Sequence, residues 1–258
     1  MNLLSIYLMQ SCNINCYYCP MKPWIYPLDH KVFFRGGLEL PDGLTEEEKE
    51  KHKVSINLIN NEDLLKWVDE FCPPDKWVVE FTGGEPALHS EFSSKILPAF
   101  CERGYKGVTK TNGTLYIPKT ENFKMVTAWH ESIKEIPPYH DFILIIKNPN
   151  DNWREKKQYC EDNKIPFCAV PFDRSYEGKK SNAGSVLIPN KMQGMTRILS
   201  MGQITSCYAD APQEGYDIFA MKPPKIKDVK HGCSKCGNVT AVEIFLPGGL
   251  IYEKFNIQ

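Results

Sequence analysis

Leu3-Leu4-Ser5-Ile6-Tyr7-Leu8-Met9 runs almost directly into Ser11-Cys12-Asn13-Ile14-Asn15-Cys16-Tyr17-Tyr18-Cys19-Pro20. The first stretch is a short apolar run, the length of a buried strand. The second is a loop with three cysteines spaced CxxxCxxC. The count matters. A closed structural zinc site takes four protein ligands, and a common 4Fe–4S cluster takes four thiolates. Three thiolates can hold a cubane through three irons and leave the fourth iron open to a substrate or cofactor. Taken alone, the triad also allows zinc completed by a distant fourth ligand.

Working outward, residues 20–60 lack clear periodicity and read as an insertion, a lid or binding loop with one solvated helical stretch. Asn60 or Asn61 caps an expected helix through about Phe71, with Leu64, Leu65 and Val68 on one face. Trp77-Val78-Val79-Glu80-Phe81-Thr82 is strand-like and ends in Gly83-Gly84-Glu85-Pro86. Ser90 is the expected cap of a helix that runs towards Arg103 and ends at Gly104, kinked or shortened by Pro98. Residues 108–111, 125–129, 142–147 and 165–171 read as strands, and 151–163 as a helix. Strand and helix alternate, which predicts βα units and a parallel sheet. Right-handed crossovers would curl such a sheet into an open or closed barrel. Functional residues then collect at the C-terminal strand ends. Cys12, Gly83, Asn112 and Lys147 all follow expected strands, and His130 follows another.

The last third differs. Residues 174–200 carry no clear period. Cys207 follows, then Cys233-Ser234-Lys235-Cys236-Gly237 and an expected hairpin around Pro247-Gly248-Gly249. The expected division is a barrel over residues 1–173, with its 20–60 insertion, and an extension over 174–258. CxxC followed by glycine is a recurrent metal-binding knuckle. Two metal readings stand side by side. One is a second 4Fe–4S cluster on Cys207, Cys233 and Cys236; the other is zinc on the same three residues with His231. Either would staple a tail that lacks a large core of its own. Cys72, Cys101, Cys160 and Cys168 are isolated and read as small buried hydrophobes.

Cys12-x-x-x-Cys16-x-x-Cys19 with aromatic Tyr18 before the last cysteine resembles the signature of the radical S-adenosylmethionine (radical SAM) superfamily. Gly83-Gly84-Glu85-Pro86 resembles its GGE motif, and Thr111-Asn112-Gly113-Thr114 resembles a stretch common after its third strand. The resemblance covers roughly residues 1–171, by motif and position. It implies a partial (β/α)6 TIM-like barrel with a 4Fe–4S cluster on Cys12, Cys16 and Cys19. It implies that the open iron binds SAM, whose reductive cleavage yields a 5′-deoxyadenosyl radical that abstracts a substrate hydrogen. By motif match, Gly83, Gly84, Glu85 and Pro86 would receive the methionyl amine and Tyr18 would contact adenine, with Thr111 and Asn112 near SAM. Lys147 is a candidate for a SAM or substrate carboxylate, and His130 for the barrel mouth. A small electron donor such as flavodoxin or ferredoxin is the implied partner. The segment from Gly202 to Cys207 also resembles the start of the auxiliary-cluster extensions of some members. Those extensions carry further cysteines, and none follows Cys236 here.

Bulk properties set the outer bounds. The chain has 258 residues, a formal net charge of −1 and ten cysteines. A net charge near zero gives no global field to recruit nucleic acid. No apolar run approaches the roughly 20 residues of a membrane span. Without a secretion signal, the expected setting is cytoplasmic and reducing, with cysteines serving as metal ligands and buried thiols. The expected substrate is a peptide or protein, or a nucleotide-like molecule. Alternatives within the superfamily are an enzyme like 7-carboxy-7-deazaguanine synthase, which has no need of Cys207, Cys233 and Cys236, and a glycyl-radical-activating enzyme. The alternative of a different class is a non-catalytic zinc-binding interaction module.

Overall fold

The computed structural model describes residues 2–9, 12, 14, 59–130, 133–147, 151–171, 194–199, 202–206, 213 and 215–228. Most of the 20–60 insertion, the hairpin and the tail cysteines lie outside these residues.

The apolar N-terminal run forms strand β1 (Asn2–Met9). Helix α1 (Asn61–Phe71) begins where expected: the Asn60 side chain accepts from the backbone N–H of Asp63 at 2.9 Å, satisfying a donor that the first turn leaves over. Strand β2 (Trp77–Gly83) follows. The next helix departs from expectation. Its first turn, Phe92–Ile96, is π-wound, and only then does α2 (Leu97–Glu102) begin. Pro98 is the reason. It has no N–H to close a bond four residues back, and the Leu97 N–H reaches the Phe92 carbonyl instead. Glu91, not Ser90, stands at the N-terminus of this segment. Gly104, at φ +80°, ends it, and the Tyr105 N–H returns to the Phe100 carbonyl at 3.1 Å, as a left-handed C-terminal cap requires.

Strands β3 (Gly107–Thr111), β4 (Phe123–Ala128) and β5 (Phe142–Lys147), helix α3 (Trp153–Asp162) and strand β6 (Phe167–Pro171) complete the order. Strands β7 (Gly194–Ile198), β8 (Ile204–Thr205) and β9 (Lys227–Asp228) come last. The strand order is β6-β5-β4-β3-β2-β1-β7-β8, with β9 also on β7. β1 to β7 are parallel to their neighbours; β8 and β9 run antiparallel to β7. The protein is thus an α/β fold on a mostly parallel sheet.

Two findings differ from the sequence reading. Helix does not alternate with strand throughout: among the described residues, the β3–β4 and β4–β5 crossovers carry none. Asn112-Gly113 and Pro137-Pro138 occupy these links, and such residues favour turns over helix. The second is β7. It lies beyond residue 173, yet pairs with β1 from Asn2↔Gly194 to Ile6↔Ile198, so the sheet continues into the segment assigned to the extension.

Alternate strand residues face opposite sides, and the two faces differ in character. Leu4, Ile6 and Leu8 of β1 and Val79 and Phe81 of β2 pack with Leu64, Trp67 and Val68 of α1 and with Phe92, Ile96 and Phe100. Phe81 is the hub, its ring centre 5.1–5.2 Å from those of Phe92, Phe100 and Phe123. Full burial of such a side chain is worth about 1.5–3 kcal/mol, and aromatic pairing adds about 0.5–1.5. Trp67 also ties the far end of the chain to α1, its indole N–H donating to the Lys222 carbonyl at 2.6 Å. The intervening residues Ser5, Tyr7, Glu80 and Thr82 lie on the other face. No helix among the described residues is long and apolar enough to cross a membrane.

Candidate functional site at the C-terminal ends of β1, β2 and β3

β1 and β2 stay in register from Asn2↔Trp77 to Tyr7↔Thr82, then shift so that Met9 meets Gly83. The extra β1 residue is a bulge, and bulges re-aim the chain beside functional sites. Gly83 has φ +114°, and a Cβ there would run into the Met9 carbonyl oxygen. The next N–H, from Gly84, donates to that same oxygen at 2.7 Å. Only glycine permits this approach. It brings the turn after β2 against the chain that leads to Cys12, whose thiol is partly exposed.

Glu85 follows, and it is fully buried. One carboxylate oxygen accepts from the Thr111 hydroxyl at 2.8 Å and from the Ala87 N–H at 3.1 Å. The other accepts from the Asn112 N–H at 2.8 Å. Burial pushes this carboxyl above its ordinary range, while the donors from Asn112, Thr111 and Ala87 pull it back. Glu85 also caps the short 3-10 turn Pro86–Leu88, in which Pro86 occupies the first turn.

The turn after β3 is fixed as closely. The Gly113 N–H donates to Thr111 Oγ1 at 3.0 Å. Gly113 has φ +74°, with Pro137 and Thr127 side chains where a Cβ would lie. Asn112 Oδ1 accepts from the Thr114 N–H at 2.9 Å and from its hydroxyl at 2.5 Å. The Asn112 Nδ2 then faces Cys12 and donates to its sulfur at 3.6 Å. Cys12, Gly83, Gly84, Glu85, Pro86, Thr111 and Asn112, spread over 100 residues of chain, thus form one connected rim.

Beneath this rim lies a group that the sequence reading missed. Ser5 Oγ donates to Glu80 at 2.6 Å, and Lys110 pairs with the other Glu80 oxygen. Ser5 and Glu80 are register partners on the polar face of the sheet. The available signal was a carboxylate within the apolar run Trp77-Val78-Val79-Glu80-Phe81, since a charge is costly to bury unless paired.

The ends of β4 and β5 are arranged differently. His130 is only 2% exposed. The Lys156 ammonium donates to the carbonyls of Trp129 and His130, each at 3.1 Å, and to Asp151 at 2.9 Å. The side chains of Lys156 and Asp151 are both buried. Lys147 is exposed, with its ammonium 5.6 Å from the centre of the Trp153 ring. Neither His130 nor Lys147 joins the hydrogen-bonded rim in any bond described above.

The residues that are described fit a metal-bound thiolate. Cys12 is accessible, and a fixed amide donor faces its sulfur. Cys16, Cys19 and Tyr18 lie outside the described residues, as do Cys207, His231, Cys233 and Cys236. Among the described residues no group of three or more His, Cys, Asp or Glu side chains is placed to hold a metal ion. Cys72 and Cys160 are buried. Burial pushes the Cys160 thiol up to about 11 and raises that of Cys72 further, so both act as apolar filling.

No protein-family model matches the chain. It is 28% identical over 102 residues to 7-carboxy-7-deazaguanine synthase of Methanocaldococcus jannaschii. That match covers 40% of this chain and 36% of the relative, so the chain spans about a third of that protein's length. Among solved structures, the chain is similar to Streptococcus suis SuiB bound to S-adenosylmethionine, with a TM-score of 0.49 and 13% identity over 92% of this chain and 62% of that one. It is also similar to anSMEcpe with bound AdoMet, with a TM-score of 0.47 and 14% identity over 84% and 78% of the two chains. BtrN in complex with AdoMet and 2-DOIA gives a TM-score of 0.40 and 14% identity over 84% and 78%. These are loose likenesses of shape.

Proposed function

We propose that this chain, a relative of the radical SAM superfamily by its motifs and by its sequence match to 7-carboxy-7-deazaguanine synthase, is an enzyme that cleaves SAM reductively. The reading adds a partial (β/α) barrel to the observed parallel sheet. The observation that carries it is the hydrogen bond from Asn112 to Cys12. Through it and Glu85, three motifs distant in sequence become one assembly.

In this reading Cys12, Cys16 and Cys19 hold a 4Fe–4S cluster. When bound, the cluster supplies the electron that converts SAM to methionine and a 5′-deoxyadenosyl radical. The chain's own part is binding and orientation. The Gly83-Gly84 turn allows close approach to its backbone, because neither residue carries a side chain. Tyr18 contributes a ring face for adenine, and Pro86 keeps the turn stiff. Ser5, Glu80 and Lys110 give the polar face a paired charge beneath the rim. A small flavodoxin or ferredoxin is the fitting electron donor.

The substrate reading is a peptide or protein, or a nucleotide-like molecule, with Cys207, Cys233 and Cys236 holding a second cluster or, with His231, zinc. A second reading is an activity like that of 7-carboxy-7-deazaguanine synthase. The sequence relative favours it, and the three tail cysteines, for which that activity has no need, speak against it.

The test is anaerobic reconstitution with iron and sulfide, followed by reduction with SAM present. A 4Fe–4S absorption spectrum and 5′-deoxyadenosine are expected, and both should disappear in Cys12→Ala. A protein that takes up zinc alone and never cleaves SAM would sink the reading.

A further inference from the structure

Glu85 is a costly residue to bury, and its bonds show what the cost supports. One oxygen holds the Asn112 backbone N–H at 2.8 Å, across 27 residues of sequence. The other holds the Thr111 hydroxyl at 2.8 Å. That hydroxyl accepts from the Gly113 N–H, so three consecutive residues of the turn are set from one carboxylate. The Asn112 side chain is set at its other end. Its oxygen accepts two donors from Thr114. Turning the amide over would put an NH2 group against a backbone N–H, so the network itself assigns nitrogen and oxygen. That leaves the nitrogen facing Cys12.

We propose that Glu85 is a positioning residue acting through Asn112, and that the Asn112 amide raises the reduction potential of the cluster held by Cys12 through its hydrogen bond to the sulfur. This inference rests on the function proposed above. The physical reason is charge. Reduction makes the cluster and its thiolates more negative, and a donor aimed at a thiolate favours the more negative state. Second-layer hydrogen bonds tune metal sites in this way. Glu85 itself is fully buried, so the proposal gives it no contact with SAM.

The experiment is a redox titration followed by electron paramagnetic resonance, on reconstituted protein with 4Fe–4S content matched across variants. Asn112→Leu should lower the reduction equilibrium constant about tenfold, which is about 59 mV for a one-electron couple. Asn112→Asp keeps the acceptor for Thr114 and should lower it as well; it is the variant to read if Asn112→Leu takes up no cluster. Glu85→Gln should move the potential in the same direction. The double variant Glu85→Gln/Asn112→Leu should fall no further than Asn112→Leu alone, because residues acting through one bond are not additive. Asn112 variants at the wild-type potential overturn the inference and leave the functional reading standing. A Glu85→Gln protein with wild-type potential and SAM affinity reduced tenfold puts Glu85 on the ligand and overturns its positioning role. A wild-type protein that holds no 4Fe–4S cluster overturns the functional reading, and this inference with it.

Discussion

The C-terminal edge of the sheet has two halves built on different principles. At the ends of β1, β2 and β3, groups far apart in sequence are bonded to one another: Gly84 to Met9, Glu85 to Thr111 and Asn112, and Asn112 to Cys12. At the ends of β4 and β5 the described bonds run inward. Lys156 binds the carbonyls of Trp129 and His130 and pairs with Asp151, closing a strand end against the α3 helix. The first half is made of residues whose backbone is constrained, with Gly83 and Gly113 at positive φ. The second rests on single polar residues at strand ends, which any backbone accepts. A polar residue after a strand is therefore weak evidence of a site, whereas a turn that only glycine can make is stronger.

The comparison breaks first at Gly83. Gly83→Ala adds a Cβ against the Met9 carbonyl oxygen at φ +114°. Backbone strain costs about 1–3 kcal/mol and overpacking a similar amount, so urea denaturation should register a loss of about 4 kcal/mol. Formation of 5′-deoxyadenosine should be lost as well, including in protein that remains folded. Full SAM cleavage in Gly83→Ala would detach the turn from the chemistry.

Next is Lys156→Met. It leaves Asp151 buried without its cation, and breaking a buried pair costs about 3 kcal/mol or more. The expected loss is about 3 kcal/mol in urea. SAM cleavage per folded molecule should stay near wild type, because this half binds inward. Matched losses in stability and in cleavage would merge the two halves into one functional rim.

The same division explains what was legible in the sequence. β1, β2 and α1 could be read because Leu4, Ile6, Leu8 and the Asn60 cap carry local signals. β7 could not, because Gly194-Met195-Thr196-Arg197-Ile198 has no apolar run and owes its extended form to pairing with β1. The β3–β4 and β4–β5 links, which carry no helix among the described residues, were hidden by a regular strand spacing that implied helices between them. Within the site, Cys12, Gly83 and Asn112 were marked by spacing and turn chemistry. The bonds of Glu85 to Thr111 and Asn112 were not, since these partners lie 26 and 27 residues away and nothing in a local pattern names them. Glu80 left a trace, a charge inside a strand, but its partners Ser5 and Lys110 belong to two other strands.

A smaller effect tests how the first half is fastened from behind. His89 is buried, with Nδ1 accepting from the Glu91 N–H at 3.2 Å and Nε2 donating to the Ile59 carbonyl at 2.8 Å. The bond at Nδ1 holds only for the neutral ring, because a protonated Nδ1 has no lone pair to accept with; the donor bond at Nε2 survives protonation. Burial lowers its pKa below the ordinary value of 6.5, although Ile59 and Glu91 pull the other way. The unfolded chain therefore binds a proton before the folded one does. Stability from His89 is full above about pH 6.5 and is lost as pH falls through the lowered folded value. Urea midpoints between pH 5 and 8 should decline on the acid side in the wild type and decline less in His89→Leu. At neutral pH that variant should lose about 2 kcal/mol, for two hydrogen bonds at about 1 kcal/mol each. An identical acid slope in both proteins would assign the titration to another group.

The smallest expected effect is at Lys147, and it bears most directly on where the site ends. Its ammonium lies 5.6 Å from the centre of the Trp153 ring and the residue is exposed. An exposed cation–π contact is worth about 0.5–1 kcal/mol, and surface substitutions usually stay within about 0.5 kcal/mol. Lys147→Ala should therefore shift the urea midpoint barely, by about 0.5 kcal/mol. Its effect on SAM affinity separates two placements. A lysine that only covers Trp153 leaves affinity at the wild-type level, and the observed geometry favours this result. A lysine that meets the SAM carboxylate adds a charge-assisted bond, and its loss costs about tenfold or more in affinity. Isothermal titration of SAM into the reconstituted protein reads the difference. A tenfold loss would extend the working rim to the end of β5 and erase the contrast between its halves.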